Sequence, residues 1–220
     1  MTGIEKNPSA PQADPKVIAT LKGIAVALLS DQLHRNRGSK GLLPYHRPAP
    51  LAGTAVTVRT RGGDNLAILR AYDYCRPGDV MVVDADGDLD NALVGGIMTF
   101  FAASIGLAGM IIDGAIRDVS EIRERPFPVY ARGVTHRGPY KDGPGAINVP
   151  VSAGGMTVMP GDIVVGDQDG LVAFSTKEAP TVIEKALKQR DAEEATMRAM
   201  ALPGFRGGGG LGVMRCAEIG

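Results

Sequence analysis

The fold is decided by residues 77–118, PGDVMVVDADGDLDNALVGGIMTFFAASIGLAGMIIDGAIRD. This segment holds two short apolar runs, Val80–Val83 and Met110–Ile112, and between them a polar loop and a stretch of helical length over 94–105. A continuous apolar run bounded by turn residues is typical of a strand that is buried on both faces. Two such strands separated by a helix predict parallel neighbours joined by a right-handed crossover.

The same alternation extends toward the amino terminus. Residues 54–58 alternate in polarity as a strand does, and Asp64 is placed to cap a helix over about 66–74. Farther upstream, Asp14 and Pro15 have N-cap and N1 character and open a predicted amphipathic helix that ends near 31–33. The order of elements therefore predicts an α/β protein.

The sequence pattern changes after residue 126, where short apolar runs are separated by Gly, Pro and Asp. This pattern is typical of strands and predicts a second, mostly β layer, with candidate strands at 128–130, 147–151, 156–158, 163–165 and 171–174. Ser175 and Glu178 then have the spacing of a capping box, which predicts a last helix over about 176–200.

Length and composition limit the domain organisation. A chain of 220 residues fits one compact domain, which we predict over residues 14–201. Residues 1–13 are polar and carry proline, so they predict a loose arm. Residues 202–220 include four consecutive glycines and predict a flexible tail.

Charge and cysteine content exclude several classes of function. The 24 Lys and Arg balance the 24 Asp and Glu without a basic block, so no nucleic-acid partner is expected. No apolar run approaches the roughly 20 residues of a membrane helix, and the amino terminus lacks a signal-peptide core, so we expect a cytoplasmic protein with no membrane partner. Cys75 and Cys216 lack disulfide or metal spacing, and the three histidines are too scattered to indicate a zinc site.

Residues 113–118, DGAIRD, carry the best candidate chemistry because they directly follow the second buried strand. Open α/β sheets gather ligands at the carboxyl ends of their strands. The planar guanidinium of Arg117 suits a carboxylate or an enolate, and Asp118 offers a hard oxygen ligand to a magnesium ion that keeps most of its waters. The alternative is a plain helix start, with Asp118 in its first turn and Arg117 on the surface.

A second candidate is the segment Gly95, Gly96, Ile97 and Met98. Paired glycines that open a helix leave several backbone N–H groups unpaired and unobstructed, which makes a cradle for a small anion. Arg117 would reach the same anion if the two strand ends lie side by side. The alternative is an ordinary turn from loop to helix.

Together with further motifs, these residues resemble the RraA-like family. That family includes the class II 4-hydroxy-4-methyl-2-oxoglutarate/4-carboxy-4-hydroxy-2-oxoadipate aldolases and the regulator of ribonuclease E activity A. The resemblance covers about residues 15–200 and rests on GDN at 63–65, PGDVMVVD at 77–84, the Gly95-Gly96 step, DGAIRD at 113–118, RGV at 132–134 and PGDIVVGD at 160–167. It implies a β/β/α swivelling-type domain with a central mixed sheet and flanking helices, and trimers or hexamers with sites between subunits.

The resemblance also implies site roles. Arg117 would bind pyruvate and its developing enolate, Asp118 would hold Mg²⁺ or Mn²⁺ largely through water, and the amides of residues 95–98 would bind the pyruvyl carboxylate. It further implies a metal-site glutamate from a neighbouring subunit, for which Glu193 or Glu194 is the candidate; a solvated charge run is the alternative for both.

Two further positions match the family near its site. Asp31 and Lys141 would steer proton transfer or recognise a distal carboxylate, although Asp31 could equally be a helix-end residue and Lys141 an exposed loop cation. One position departs from the resemblance, because many of the aldolases carry an acidic residue where this chain has Gly96.

The activity implied is a metal-dependent lyase that cleaves 4-hydroxy-4-methyl-2-oxoglutarate or 4-carboxy-4-hydroxy-2-oxoadipate to release pyruvate, with oxaloacetate decarboxylation as a side activity. One alternative is a non-catalytic, protein-binding regulator that resembles the ribonuclease E inhibitor. Another is a carboxylate-binding protein without turnover. The presence of Arg117 and Asp118 beside an open glycine cradle favours catalysis.

Overall fold

A computed structural model of the chain describes residues 3–201. The described elements are, in order, β1 (Ile4–Lys6), α1 (Pro15–Leu21), α2 (Val26–Gln32), β2 (Leu43–Pro44), β3 (Leu51–Thr60), α3 (Leu66–Ala71), a 3-10 turn (Tyr72–Tyr74), β4 (Asp79–Asp84), β5 (Ala92–Val94), α4 (Gly96–Ser104), β6 (Gly109–Ile116), α5 (Val119–Arg123), β7 (Val129–Val134), β8 (Gly145–Ile147), β9 (Val151–Ala153), β10 (Met156–Val158), β11 (Ile163–Gly166), β12 (Leu171–Phe174) and α6 (Ala179–Met200).

A mixed sheet forms the centre of the described chain, with strand order β1-β8-β3-β4-β6-β7-β2. Its middle strands β3, β4, β6 and β7 are parallel, as the alternation of strands and helices predicts. The long strand β3 also pairs antiparallel with β11 near its start and with β8 near its end. The predicted α/β class with a central mixed sheet is confirmed.

Strands β4 and β6, which contain the two apolar runs Val80–Val83 and Met110–Ile112, are buried on both faces. Met81 and Val83 of β4 pack into a cluster with α3, α4 and α5 on one side of the sheet. Val80 and Val82 point to the other side, into a cluster with β9 and β10. Because successive side chains of a strand alternate between faces, a continuous apolar run is what this double burial requires.

A third apolar cluster joins α1, α2 and α6 to β11 and β12. The helix predicted from Pro15 to about residue 33 is in fact two helices, α1 and α2, so the single-helix prediction is wrong. The chain turns at Gly23, and the carboxylate of Asp167 accepts the Val26 N–H at 2.8 Å, which caps the second helix from a distant loop. Local periodicity continues across such a break and therefore conceals it.

Residues 4–13 are more ordered than a loose arm. Ile4–Lys6 pairs in parallel with β8, and the Ala13 N–H donates to Thr54 Oγ1 at 3.0 Å. The side chain of Gln12 donates to Asp79 at 2.8 Å. Polar residues that are satisfied by long-range hydrogen bonds, without much apolar burial, explain why composition alone predicts a loose segment here.

The second β layer is smaller than the sequence predicts. Only β9 and β10 form a separate sheet, because β7, β8, β11 and β12 all join the central one. The last helix begins at Ala179, and Ser175 and Glu178 exchange the hydrogen bonds of a capping box ahead of it. The predicted glycine-rich tail and Cys216 lie outside the described residues. Among residues 3–201, no helix is long and apolar enough to cross a membrane.

Candidate functional site

Strand β6 runs farther than its apolar core suggests. It extends to Ile116, so Asp113 lies within the strand and not after it. The buried Asp113 carboxylate bonds the Arg132 guanidinium on β7 and accepts the Gly154 N–H at 2.7 Å. Asp113 therefore ties the sheet to the small β9–β10 hairpin, and the candidate site begins only at Arg117.

Arg117 and Asp118 lie at the carboxyl end of β6, against the start of α4. Strand β5 pairs with this end of β6, and the Arg117 N–H donates to Val94 O at 3.0 Å. This pairing places the Gly95-Gly96 step directly beside both side chains. The two sequence candidates, which are about 20 residues apart in the chain, thus form one site.

The Asp118 carboxylate is turned toward the amino end of α4. Its Oδ2 accepts the Gly96 N–H at 3.0 Å and lies 3.8 Å from Arg117 Nε. The backbone of Asp118 is left-handed, with φ of 57°, a conformation that Asp and Asn tolerate better than most side chains. A Cβ at Gly95 would lie only 2.5 Å from Asp118 Oδ2, so this close approach requires glycine.

The glycine step leaves free donors, as predicted. The first hydrogen bond along α4 runs from the Thr99 N–H to Gly95 O, so the N–H groups of Ile97 and Met98 have no acceptor within the helix. The Gly96 N–H already serves Asp118. The cradle for an anion therefore consists of two amides, fewer than the sequence suggests, with the partial positive charge of a helix start behind them.

A small cavity of about 60 Å³ opens at this point. It is lined by Asn65, Ala92–Gly95, Ile97, Met98, Arg117, Asp118 and Pro139. The side chains of Arg117 and Asp118 are 44% and 42% exposed, so both can reach a ligand from solvent. The cavity thus combines a cation, a carboxylate and free backbone donors.

Asp64 directly precedes Asn65, which lines the cavity. Its carboxylate is fully buried and accepts the N–H groups of Leu66, Asp142 and Gly143 at 3.0, 2.7 and 2.9 Å. Burial by itself would raise the pKa of Asp64, but these three N–H groups and the nearby Arg61 outweigh it and hold the pKa below its ordinary value. Asp64 thus bonds the first N–H of α3 from one residue before the N-cap, which is Asn65 and not Asp64 as predicted, and it also fixes the loop that carries Lys141.

Replacing Asp64 with Asn should destabilise the fold by about 3 kcal/mol, because an amide cannot accept all three N–H groups. The matched control is Asp142→Asn. The Asp142 side chain is 69% exposed and makes one long contact, 3.9 Å to Arg61, so this substitution should change stability by less than about 0.5 kcal/mol. Urea unfolding at neutral pH measures both.

The difference in stability between wild type and Asp64→Asn should depend on pH in one definite direction. Because the folded-state pKa of Asp64 is depressed, its stabilisation is complete above the unfolded pKa and is lost as pH falls through the folded value. The gap between wild type and Asp64→Asn should therefore narrow at strongly acidic pH. A gap that is constant down to acid unfolding would show that the carboxylate charge contributes nothing.

Lys141 lies on the same side of the molecule as the cavity. Its loop passes the site at Gly138, where a Cβ would lie 3.1 Å from Arg117 Nη1, and at Pro139, which lines the cavity. The Lys141 side chain is exposed and makes no hydrogen bond or ion pair with any described residue. It is therefore free to meet a ligand.

Asp31 and Glu193 are brought together, but away from Arg117. Gln189 Nε2 donates to Asp31 Oδ2 and to Glu193 Oε1, both at 2.8 Å, and so links the end of α2 to α6. The hydrogen bond from Gln189 and the ion pair with Arg35 lower the pKa of Asp31. Within one chain the predicted site residues thus form two groups, one at the glycine step and one on the α2–α6 face.

Glu194 does not join the second group. It pairs instead with Arg190 at 3.9 Å and Arg198 at 3.5 Å along the surface of α6. Of the two glutamates that the sequence offers, Glu193 is therefore the better candidate.

Other chemistries have little support among residues 3–201. No group of three His, Cys, Asp or Glu side chains could enclose a metal ion there, so a metal held entirely by protein ligands of one chain does not fit. A magnesium ion that keeps several waters needs only one or two carboxylates, and Asp118 meets that demand. Burial raises the pKa of the Cys75 thiol to about 12, which removes it as a nucleophile.

Three residues at these two groups were not predicted from the sequence. Asn65 lines the cavity beside Asp64, Glu121 lies one helical turn after Asp118, and Gln189 lies one turn before Glu193. The sequence did contain a signal for Glu121 and Gln189, because each lies three or four residues from a candidate site residue and therefore on the same face of a helix.

The chain is similar to several known proteins. Residues 26–173 match the RraA-like family, described as Aldolase/RraA. A Halalkalibacterium halodurans protein provisionally named 4-hydroxy-4-methyl-2-oxoglutarate aldolase is 37% identical over 191 residues, which cover 86% of this chain and 91% of that protein. The Thermus thermophilus protein named 4-hydroxy-4-methyl-2-oxoglutarate aldolase is 36% identical over 124 residues, 56% of this chain and 75% of that protein.

Among solved structures, that of Streptomyces coelicolor RraAS2, described as an unusual member of the RNase ES inhibitor RraA protein family, superposes with a TM-score of 0.78. It is 28% identical, and the match covers 86% of this chain and 98% of that one. The chain is therefore similar both to proteins named as aldolases and to a protein of the inhibitor group.

Proposed function

The chain belongs to the RraA-like family, and from this premise we propose that it is a divalent-metal-dependent carbon–carbon lyase that acts on 2-oxo acids. The observation that carries the proposal is the meeting of Arg117, Asp118 and the free amides of Ile97 and Met98 around one cavity. A protein that acted only as a binding surface would not need these three kinds of group to converge. Relatives named as aldolases support the same reading.

The substrates we propose are 4-hydroxy-4-methyl-2-oxoglutarate and 4-carboxy-4-hydroxy-2-oxoadipate. Their shared end, a 2-oxo group next to a carboxylate, suits the Arg117 side of the cavity. The amides of Ile97 and Met98 bind the carboxylate at the start of α4. The guanidinium of Arg117 then lies beside the 2-oxo oxygen, where a planar donor binds an enolate more strongly than a ketone.

In the reaction, the C3–C4 bond of the substrate breaks and its electron pair remains on the three-carbon fragment as pyruvate enolate. The C4 hydroxyl loses its proton to a base and becomes the carbonyl of the second product. The enolate then takes up a proton at C3, which completes pyruvate. Asp118 would hold a divalent ion, Mg²⁺ or Mn²⁺, which when bound would supply further stabilisation of negative charge on the 2-oxo oxygen. Arg117 stabilises the negative charge that develops on the 2-oxo oxygen. This stabilisation is large because the guanidinium is already in position before the bond breaks.

Decarboxylation of oxaloacetate follows from the same contacts. The C3–C4 bond breaks, C4 leaves as carbon dioxide, and the same enolate of pyruvate forms beside Arg117 before it is protonated at C3. No hydroxyl proton has to be removed in this case. We therefore propose oxaloacetate decarboxylation as a side activity of the same cavity.

The α2–α6 face completes the site in an oligomer. Asp31 and Glu193, joined by Gln189, have carboxylates with free lone pairs but lie away from the Arg117 cavity of their own chain. We propose that a trimer or hexamer brings this face of one copy to the cavity of the next. Glu193 then acts near the metal waters, Asp31 receives the hydroxyl proton, and Lys141 of the cavity's own chain binds the distal carboxylate.

The test is pyruvate release from 4-hydroxy-4-methyl-2-oxoglutarate and from oxaloacetate, followed by coupled NADH oxidation. Release with Mg²⁺ or Mn²⁺ that is abolished by EDTA and restored by added metal is the expected result. If a correctly folded oligomer releases no pyruvate from either compound, the lyase proposal is wrong. Capture of a ribonuclease partner would then test the regulator alternative.

A further inference from the structure

Gly96 lacks a side chain, and the carboxylate of Glu121 occupies the space that a side chain there would need. A Cβ at Gly96 would lie 2.4 Å from Glu121 Oε2 and 3.5 Å from Asp118 Cβ. Two carboxylates thus flank the start of α4: Asp118 lies over Gly95, and Glu121 lies over Gly96.

Neither carboxylate performs the task that its position on α5 would ordinarily give it. Asp118 is the N-cap of α5, yet its side chain accepts no hydrogen bond from that helix. Glu121 stands three residues later, where a capping-box glutamate would reach back to the N-cap N–H, and it does not do so. Both side chains are turned toward α4 instead.

The Glu121 carboxylate has most of its lone pairs free. Its one ion pair among residues 3–201 is with Arg125, at 4.0 Å, and it accepts no hydrogen bond from the described residues. Arg125 has other contacts, since it approaches Gly96 O at 3.4 Å and stacks over the Phe100 ring. The side chain of Glu121 is 63% exposed, so water and ions have access to it.

Asn65 gives an independent indication that the cavity takes a polar ligand. Its side chain is buried, with 3% of the residue exposed, and its Nδ2 donates to Leu93 O at 3.1 Å. Its Oδ1 has no hydrogen-bond partner. A buried acceptor without a partner costs free energy, so its presence on the cavity wall points to a donor that arrives with a ligand or its water.

We propose that Glu121 is the second carboxylate of the cation site and, with Asp118, binds the water shell of a divalent metal ion. This inference rests on the proposed function. It adds Glu121 to the site, as the carboxylate that takes the place of an acidic side chain at Gly96. Magnesium usually keeps several of its waters and needs only one or two carboxylates from the protein. A water-mediated carboxylate typically contributes ten- to a hundredfold to metal affinity.

The test measures binding of Mn²⁺ alone to the full-length protein, from the electron paramagnetic resonance signal of free Mn²⁺. Glu121→Gln should weaken Mn²⁺ binding by about tenfold or more. Glu124→Gln is the matched control, since it removes the same charge from an exposed position just after α5, and it should bind Mn²⁺ as wild type does.

A second variant moves the carboxylate within the same space. In the double variant Gly96→Asp with Glu121→Ala, the new side chain fills the volume that Glu121 leaves, and Mn²⁺ binding should recover toward that of wild type. Gly96→Asp alone forces Glu121 aside and sets two like charges together, so it should lower thermal stability.

Three results would overturn the inference. If Glu121→Gln binds Mn²⁺ as tightly as wild type, Glu121 is only a surface partner of Arg125. If Glu124→Gln weakens binding equally, the effect is one of overall charge. If wild type itself binds no Mn²⁺, this inference fails, whereas the proposed function is decided separately by pyruvate release.

Discussion

Replacement of Arg117 by Ala should lower kcat/KM for pyruvate release by about a hundred- to a thousandfold. The guanidinium is the one cationic group that lines the described cavity, and it faces the oxygen on which enolate charge develops. Removal of a preorganised donor of this kind costs about 3–4 kcal/mol of transition-state stabilisation. Because the Arg117 side chain is 44% exposed and its only ion pair with a described residue is long, at 3.8 Å, the fold should remain intact.

The controls separate charge from geometry. Arg117→Lys keeps the cation but not the planar pair of donors, so it should recover only part of the activity. Arg137→Ala removes an exposed arginine at the start of the neighbouring loop, whose 4.0 Å contact with Asp90 is also on the surface, and should leave the rate unchanged. Full activity of Arg117→Ala would remove Arg117 from the mechanism.

The same variant also locates the second group of residues. Glu193→Gln should itself be impaired, and oligomers assembled from a mixture of Arg117→Ala and Glu193→Gln chains should regain part of the activity. In such mixtures some sites combine an intact Arg117 from one copy with an intact Glu193 from the next. If no mixture gains activity over its components, the proposed intersubunit site is wrong.

Asp118→Asn should strongly reduce metal-dependent turnover while the fold is kept. Asn tolerates the left-handed backbone at this position, and its side-chain oxygen can still accept the Gly96 N–H. The substitution therefore removes the negative charge and little else. Since a neutral amide is a much poorer partner for a hydrated divalent ion, we expect a loss of at least about a hundredfold in activity at fixed metal concentration.

Asp118→Ala is the less informative variant, because Ala in a left-handed conformation adds strain of about 1 kcal/mol or more. Activity should be measured across a range of Mg²⁺ concentrations, and thermal unfolding should be measured alongside it. A fall in the apparent metal affinity that high Mg²⁺ partly overcomes would agree with a metal role. If Asp118→Asn is as active as wild type at every Mg²⁺ concentration, Asp118 does not hold the metal.

Much of the fold follows from local pattern. The buried strands β4 and β6 show up as continuous apolar runs because both their faces are covered, and the helix between them begins at the predicted glycine step. The ends of parallel neighbours meet at one edge of a sheet, so the pairing of Arg117 and Asp118 with Gly95 and Gly96 could be predicted as well. These inferences need only periodicity, turn residues and chain order.

The errors of prediction also have a physical cause. The break between α1 and α2 depends on a carboxylate 141 residues away, Asp167, which caps Val26. The order of residues 4–13 depends on pairing with β8 and on hydrogen bonds to β3 and β4. Neither partner is adjacent in the chain, so no local window of sequence contains the signal.

Residue order was enough to predict the α/β class, the buried strands and the glycine step next to Arg117 and Asp118. Each of these features depends either on residues that are close together in the chain or on a general rule of sheets. The tertiary structure alone decided that Asp64 holds three amides, that Gln189 joins Asp31 to Glu193, and that Glu121 fills the space over Gly96. These contacts depend on which way a side chain turns and on what distant segment it meets. Such choices are made by packing in three dimensions, which residue order does not display.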